Sequence, residues 1–214
     1  MFQFALAISA LIGTVTLGFA SFQILFWLSL IPQVIGLGIG LALIEPRTHD
    51  TRQEANIFSH LREAISRFRT NMRLRKLSLA SITSYAINEP IHDFYPTFMA
   101  TLWPAWAIPL AKTLSHMFAA TGFRIAGRIV EKYGADRTLK WENRINYIVS
   151  TLIIAFPSIA TPLIRSITSL GFGIGTVAEK TLFQREFTDR QRATMDSLNS
   201  LAGKLAYSIF AILL

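Results

Sequence analysis

Polar and apolar positions in this chain come in blocks. Seven apolar runs, 2–20, 24–44, 77–102, 107–126, 145–160, 163–183 and 197–214, are separated by charged stretches or short turns. A helix that crosses a bilayer needs roughly 20 mainly apolar residues. Lipid offers nothing to an exposed backbone amide, so such runs must be helical to lie there. The pattern predicts an all-α polytopic membrane protein with about seven transmembrane helices. The chain then divides into two spans over 1–45, a basic linker over 46–76 and five spans over 77–214.

The breaks between runs alternate in charge. The stretch from Arg47 to Lys76 holds eight basic residues against three acidic, and that from Arg124 to Arg144 holds six against three. The turns at Ser21, Trp103 and Thr161 hold none. Basic loops mark the cytoplasmic side, which places the N-terminus and the segments 46–76, 124–144 and 184–196 inside a plasma or inner membrane. Trp103 and Trp106 suit the aromatic belt of an outer interface. The net charge of +8 is therefore a loop property and implies no nucleic-acid partner.

Composition fits this picture: 51% of residues are hydrophobic and only 16% charged, with a mean hydropathy of +0.40. No cysteine is present, which excludes disulfides, Cys-metal sites and Cys nucleophiles. The N-terminus lacks the basic start of a signal peptide. Within the linker, Ile57, Phe58, Leu61, Ala64, Ile65 and Phe68 recur at helical spacing. Two placements suit that amphipathic segment: on the anionic inner leaflet, covering 53–76, or against the protein's own cytoplasmic ends. Gly36, Gly38 and Gly40, and likewise Gly171, Gly173 and Gly175, predict close helix packing. A phosphate-binding loop is excluded for the second patch, because no strand precedes it.

Candidate chemistry concentrates in the third run, at Asn88, Glu89, His92 and Asp93. Glu89 sits about 12 residues into the run, so roughly 18 Å along a helix at 1.5 Å per residue. Ionisable groups at such a depth face a cavity or a partner. Tyr85, Glu89, His92 and Pro96 share one stripe, and Asp93 lies a turn after Glu89. Pro90 and Pro96 remove helical hydrogen bonds, which predicts a kinked or discontinuous helix. Broken helices near the midplane form transporter sites. Lys112 and His116, one turn apart in the fourth run, are candidate partners, with Lys112 at a depth similar to Asp93. The alternative for all of them is a structural ion pair or an outer-interface contact. The carboxylate and imidazole groups are also suitable metal ligands, but their spacing is not specific, so proton coupling ranks first and no metal is assigned. Arg165, at the outer end of its run, could attract anions, and reads first as an interface anchor. Lys204 invites a retinal Schiff-base reading, which the inside N-terminus excludes.

Two stretches carry a family resemblance. Gly127, Glu131, Lys132 and Gly134, followed by Arg137, resemble the cytoplasmic loop signature of the major facilitator superfamily, departing from it at Ala135 and Asp136. Arg192-Ala193-Thr194, with Ser197 and Leu201, resembles the pattern that opens the eleventh helix in many members. The resemblance implies that the runs correspond to helices five to eleven of a twelve-helix transporter, the chain being a fragment. It also implies a cytoplasmic latch at Gly127, Glu131, Lys132, Gly134, Arg137 and Arg192, in which Gly127 permits close helix contact and Gly134 makes a tight turn. The expected function is secondary active transport of a small solute, coupled to protons, by alternating access and without enzymatic chemistry or a cofactor. The alternative is a complete seven-helix receptor or sensor.

Overall fold

A computed structural model of the chain describes residues 2–43, 62, 65–66, 68–187 and 189–213. All regular structure among them is helical. We number the long helices α1 (Phe2–Phe19), α2 (Phe22–Ala42), α3 (Met72–Ala100), α4 (Ile108–Tyr133), α5 (Ala135–Ala155), α6 (Thr161–Glu186) and α7 (Asp189–Leu213). A 3₁₀ turn, Ala105–Ala107, precedes α4. Each long helix contains one of the apolar runs or most of it.

The helix ends differ from the run ends, because caps set them. Asn71 accepts hydrogen bonds at 3.0 Å from the backbone N–H groups of Arg73 and Leu74. It satisfies amides that the first turn would otherwise leave unpaired, so α3 starts five residues before its run. At the other extreme, α4 stops at Gly134, whose φ of 81° favours glycine. Its N–H bonds to the Val130 carbonyl at 2.9 Å. Helix α5 resumes at once, so the stretch 124–144, expected as a loop, is helical on both sides of Gly134. Helix α3 runs through Pro90 and Pro96 without interruption, which corrects the expectation of a discontinuous helix.

Two of the described helices are long and apolar enough to cross a membrane by length and composition: Phe2–Phe19, at a hydropathy of 1.8, and Gln23–Ala42, at 2.0. The other five fall short, because interior polar groups and charged ends dilute them.

The largest interface joins α4 to α6. Gly122 and Gly173 make it possible: a Cβ on Gly122 would run into the Leu170 carbonyl oxygen, and one on Gly173 would lie 2.5 Å from that of Ala119. Ser166 adds a bond from α6 to the Ala111 carbonyl of α4 at 2.9 Å. Helix α1 packs on α4, α5 on α6, and α3 on α7, while α2 packs chiefly on α1. Among the described residues, half of the buried apolar ones are alanines, including Ala86, Ala111, Ala119, Ala126 and Ala178. Large apolar side chains lie outside, such as Trp27, Leu37, Ile148, Phe156 and Ile212, and no residue of the Gln23–Ala42 segment is buried.

Contacts sort the charged and uncharged breaks to separate places. The indole N–H of Trp103 donates to the Ile159 carbonyl at 2.7 Å, tying together two uncharged turns. Among the charged stretches, Arg73 pairs with Asp136 and with Glu186, both at 3.3 Å. The Asn71 amide donates to Glu186 at 2.8 Å. Under this network lie Leu74, Phe183, Phe187 and Met195, one apolar cluster from α3, α6 and α7 and the bend between the last two.

Two expectations about packing change. Gly127 meets nothing within 4 Å and is exposed, so it does not bring helices together. The same open space surrounds Gly36, Gly38 and Gly40. The amphipathic segment falls mostly outside the described residues, including Ile57, Phe58, Leu61 and Ala64; Ile65 and Phe68 are helical.

Candidate functional site

The site is built on the seam between α3 and α7. Helix α3 presents Tyr85, Glu89 and Asp93 at spacings of four, which one face of a 3.6-residue turn requires. Tyr207 on α7 donates its hydroxyl proton to Oδ2 of Asp93 at 2.9 Å. Glu89, one turn earlier, is half-buried. Neither carboxylate forms an ion pair: among the described residues, the ion pairs are those of Arg73. One turn before Glu89, Tyr85 packs against α7 at Gly203, where an added Cβ would lie 3.2 Å from its ring.

The structure divides the cluster expected from the sequence. Asn88 donates within its own helix, to the carbonyl and hydroxyl oxygens of Ser84 at 2.8 and 3.0 Å. His92 is exposed. His116 belongs to a different seam, between α4 and α1, where its Nδ1 lies 2.8 Å from Oε1 of Gln3. Lys112, one turn before it, is half-buried and forms no ion pair with Asp93. Asp93 is held by a neutral phenol instead, because Tyr207 approaches from the helix that actually packs on α3. The carboxylates and the histidines therefore do not form one constellation. Among the described residues, no group of three His, Asp or Glu side chains is placed to hold a metal ion.

The latch residues are also rearranged. Gly134 makes the expected break. Glu131 and Arg137 are exposed and form no ion pair among the described residues, and the Lys132 ammonium stands 5.2 Å from the Tyr133 ring centroid. The side chain of Arg192 lies outside the described residues. The cross-helix contact is made instead by Arg73, Asp136 and Glu186. Asp136 is one of the two positions where the sequence departs from the resembled signature.

Arg165 is half-buried between α6 and α5. Its guanidinium donates to Oδ1 of Asn146 at 2.9 Å and to Thr168 at 3.3 Å, and stands 5.7 Å from the Tyr95 ring centroid. Nearby, Glu142 lies over Gly171 and Gly175, close enough that a Cβ on Gly175 would come within 2.8 Å of its carboxylate. The alternate-glycine pattern was the only sequence signal for this placement.

Two cavities border these residues. A wide apolar groove of about 740 Å³ runs along α4, α5 and α6, past Trp141, Ile145, Val149, Ile164 and Ile167. Of the residues singled out for site or latch, it touches Arg137 alone. A smaller cavity of about 340 Å³ opens between α3, α6 and α7. Its wall is mixed, and Tyr85 joins it to the Glu89–Asp93 face.

No known protein family matches this chain, and neither a curated protein nor a solved structure matches it significantly. The resemblance to the major facilitator superfamily rests on the two short motifs.

Proposed function

We propose that the chain is a multi-pass membrane protein, part of a secondary transporter of the major facilitator type, which moves a small solute together with protons. The observation that carries this reading is the Asp93–Tyr207 contact. An ionised carboxylate accepts a phenol proton in a charge-assisted bond, about twice as strong as a neutral one. Protonation of Asp93 removes that strengthening and loosens the α3–α7 seam. Glu89 stands one turn away on the same face, with no cation paired to it among the described residues. Proton binding and helix movement are thereby linked through one contact, as coupled transport requires.

Packing chemistry supports a lipid environment. Between helices in lipid, small residues allow close approach, and no hydrophobic force drives large side chains inward. The alanine, glycine and serine interfaces, with Trp, Phe and Ile outside, have that character. Helix α2 has no buried residue across its apolar segment; in water such a surface drives association. In this reading the Arg73 end is cytoplasmic, the Trp103 end is external, and the basic segment 53–76 meets the anionic inner leaflet.

The test has two stages. Alkaline carbonate should leave the protein in the membrane pellet, and release into the supernatant would end the reading. The full-length transporter of which this chain would be part is then reconstituted into vesicles enclosing a pH-sensitive dye. A panel of sugars, amino acids and organic anions should reveal a solute that carries protons inward. Glu89→Gln or Asp93→Asn should abolish the dye response to that solute, and an unchanged response in both would sink the coupling role.

A further inference from the structure

The apolar groove along α4, α5 and α6 has a carboxylate in its wall with nothing to neutralise it. The other polar side chains there are engaged or lie in water. Thr138 donates its hydroxyl proton to the Gly134 carbonyl at 2.8 Å. Asn146 and Thr168 each give an oxygen to the Arg165 guanidinium. Arg137 is exposed at the Gly134 end of the groove, where water screens it. Glu142 differs. It is half-buried over Gly171 and Gly175, and its carboxylate has neither an ion pair nor a hydrogen bond among the described residues. Both its oxygens keep accessible surface, unlike the sealed Asn199 Oδ1 and Tyr95 hydroxyl, so a guest in the groove can reach them. The charged groups that act on Glu142 are on α6. They are Glu179, of like sign, and Arg165, which is committed to Asn146, Thr168 and the Tyr95 ring. Helix α4 adds the Tyr133 phenol to the same wall. A carboxylate withdrawn from water is stabilised by a proton or by a cation.

From this arrangement we infer that the groove binds a lipophilic organic cation, its charge against Glu142 and its apolar body along the groove. Ile145, Val149, Ile164 and Ile167 supply the wall for that body. Trp141, next to Glu142 in the chain, adds an indole, and aromatic faces attract organic cations. The volume of about 740 Å³ lies within the roughly 300–1,000 Å³ of small-molecule sites. A metal ion would have to exchange its water shell for this single carboxylate, because no group of three His, Asp or Glu side chains is placed to hold one among the described residues. A neutral apolar guest would leave Glu142 unpaired. An organic anion would meet like charge from Glu142 and Glu179. The groove includes no residue of α3 or α7, so this site is separate from the Asp93–Tyr207 contact, and binding requires only the folded chain.

The experiment is equilibrium binding of tritiated tetraphenylphosphonium, an apolar monocation, to the full chain purified in detergent and shown monodisperse. Uptake by protein-free micelles is subtracted. The parent should bind the label saturably. Unlabelled tetraphenylphosphonium should displace it, and triphenylphosphine oxide, a neutral relative, should not. Glu142→Gln removes the charge at nearly unchanged volume. It should weaken binding about tenfold or more, as loss of one partner of a desolvated charge pair does. Glu142→Asp keeps the charge and should bind more tightly than Glu142→Gln, which separates charge from misfolding. Proton and cation compete for one carboxylate, so acidification should weaken binding by the parent and leave the residual binding of Glu142→Gln level. Absence of saturable binding by the parent overturns the inference. So does displacement by triphenylphosphine oxide as effective as that by the unlabelled cation, and so does parental affinity in Glu142→Gln. An affinity of Glu142→Asp no higher than that of Glu142→Gln, or a parent affinity indifferent to acidification, overturns the pairing with Glu142 and the inference with it.

Discussion

The glycines of α6 show what one residue can and cannot reveal. Gly171, Gly173 and Gly175 read as one patch in the sequence, but at about 100° per residue they occupy two faces. Gly173 meets Gly122 and lets two backbones touch, whereas Gly171 and Gly175 lie under the Glu142 side chain. Close packing was legible there; the partner was not, because nothing local names the helix opposite. Gly127 misled for the same reason: its motif suggests a contact, yet open space surrounds it. The two situations have opposite signs on mutation. Gly122→Ala puts a methyl group into the Leu170 backbone, and overpacking of this kind costs about 1–3 kcal/mol. Gly127→Ala has room and a helical backbone, and such changes stabilise by about 0.4–1 kcal/mol. Thermal unfolding followed by tryptophan fluorescence should therefore show a lower midpoint for the first variant and an equal or higher one for the second. A Gly122→Ala protein as stable as the parent would mean that α4 and α6 do not meet at this point.

Helices were legible as apolar runs, and their ends were not. Apolarity marks the part of a helix with nonpolar surroundings, while the ends depend on caps. Asn71 starts α3 and Gly134 separates α4 from α5, and both lie in stretches whose charge suggested loops. Arg73 was equally hidden. It reads as one of eight basic linker residues, yet it joins the start of α3 to the start of α5 and the end of α6. Contacts across 63 residues of sequence leave no local pattern. The strength of this tether follows from its exposure. Side chains of Arg73 and Asp136 are 55% and 57% exposed, so that arm is largely screened, while Glu186, at 13%, is the sheltered one. Exposed pairs contribute about 0–1 kcal/mol, and Asn71 still serves Glu186 when Arg73 is gone. Arg73→Ala should lower stability by about 1 kcal/mol at most at low salt. The difference should shrink as the Debye length falls from about 30 Å at 0.01 M to about 3 Å at 1 M. An equal loss at both salt concentrations would indicate that Arg73 acts through packing and not through charge.

At the scale of the whole molecule, the apolar surface and the sorting of the breaks support one topology. The Trp103–Ile159 bond gathers uncharged turns, and the Arg73 network gathers charged ones. If a bilayer lies between them, the positive-inside rule puts the second set in the cytoplasm. The carboxylate face of α3 was legible from its rarity in an apolar run, whereas its pairing with Tyr207 required knowing that α7, not α4, packs beside it. Topology can be tested cleanly because the chain has no cysteine, so any thiol introduced is the only one. Thr101→Cys and Ser158→Cys place it at the uncharged turns; Arg128→Cys and Lys140→Cys place it on exposed positions of the charged stretch. A membrane-impermeant maleimide added to intact cells should label the first two, and the second two only after permeabilisation. Labelling of all four in intact cells, or the reverse pattern, would contradict the proposed orientation. Equal protection of all four before permeabilisation, with equal reactivity after it, would mean that the chain does not cross the plasma membrane in this way.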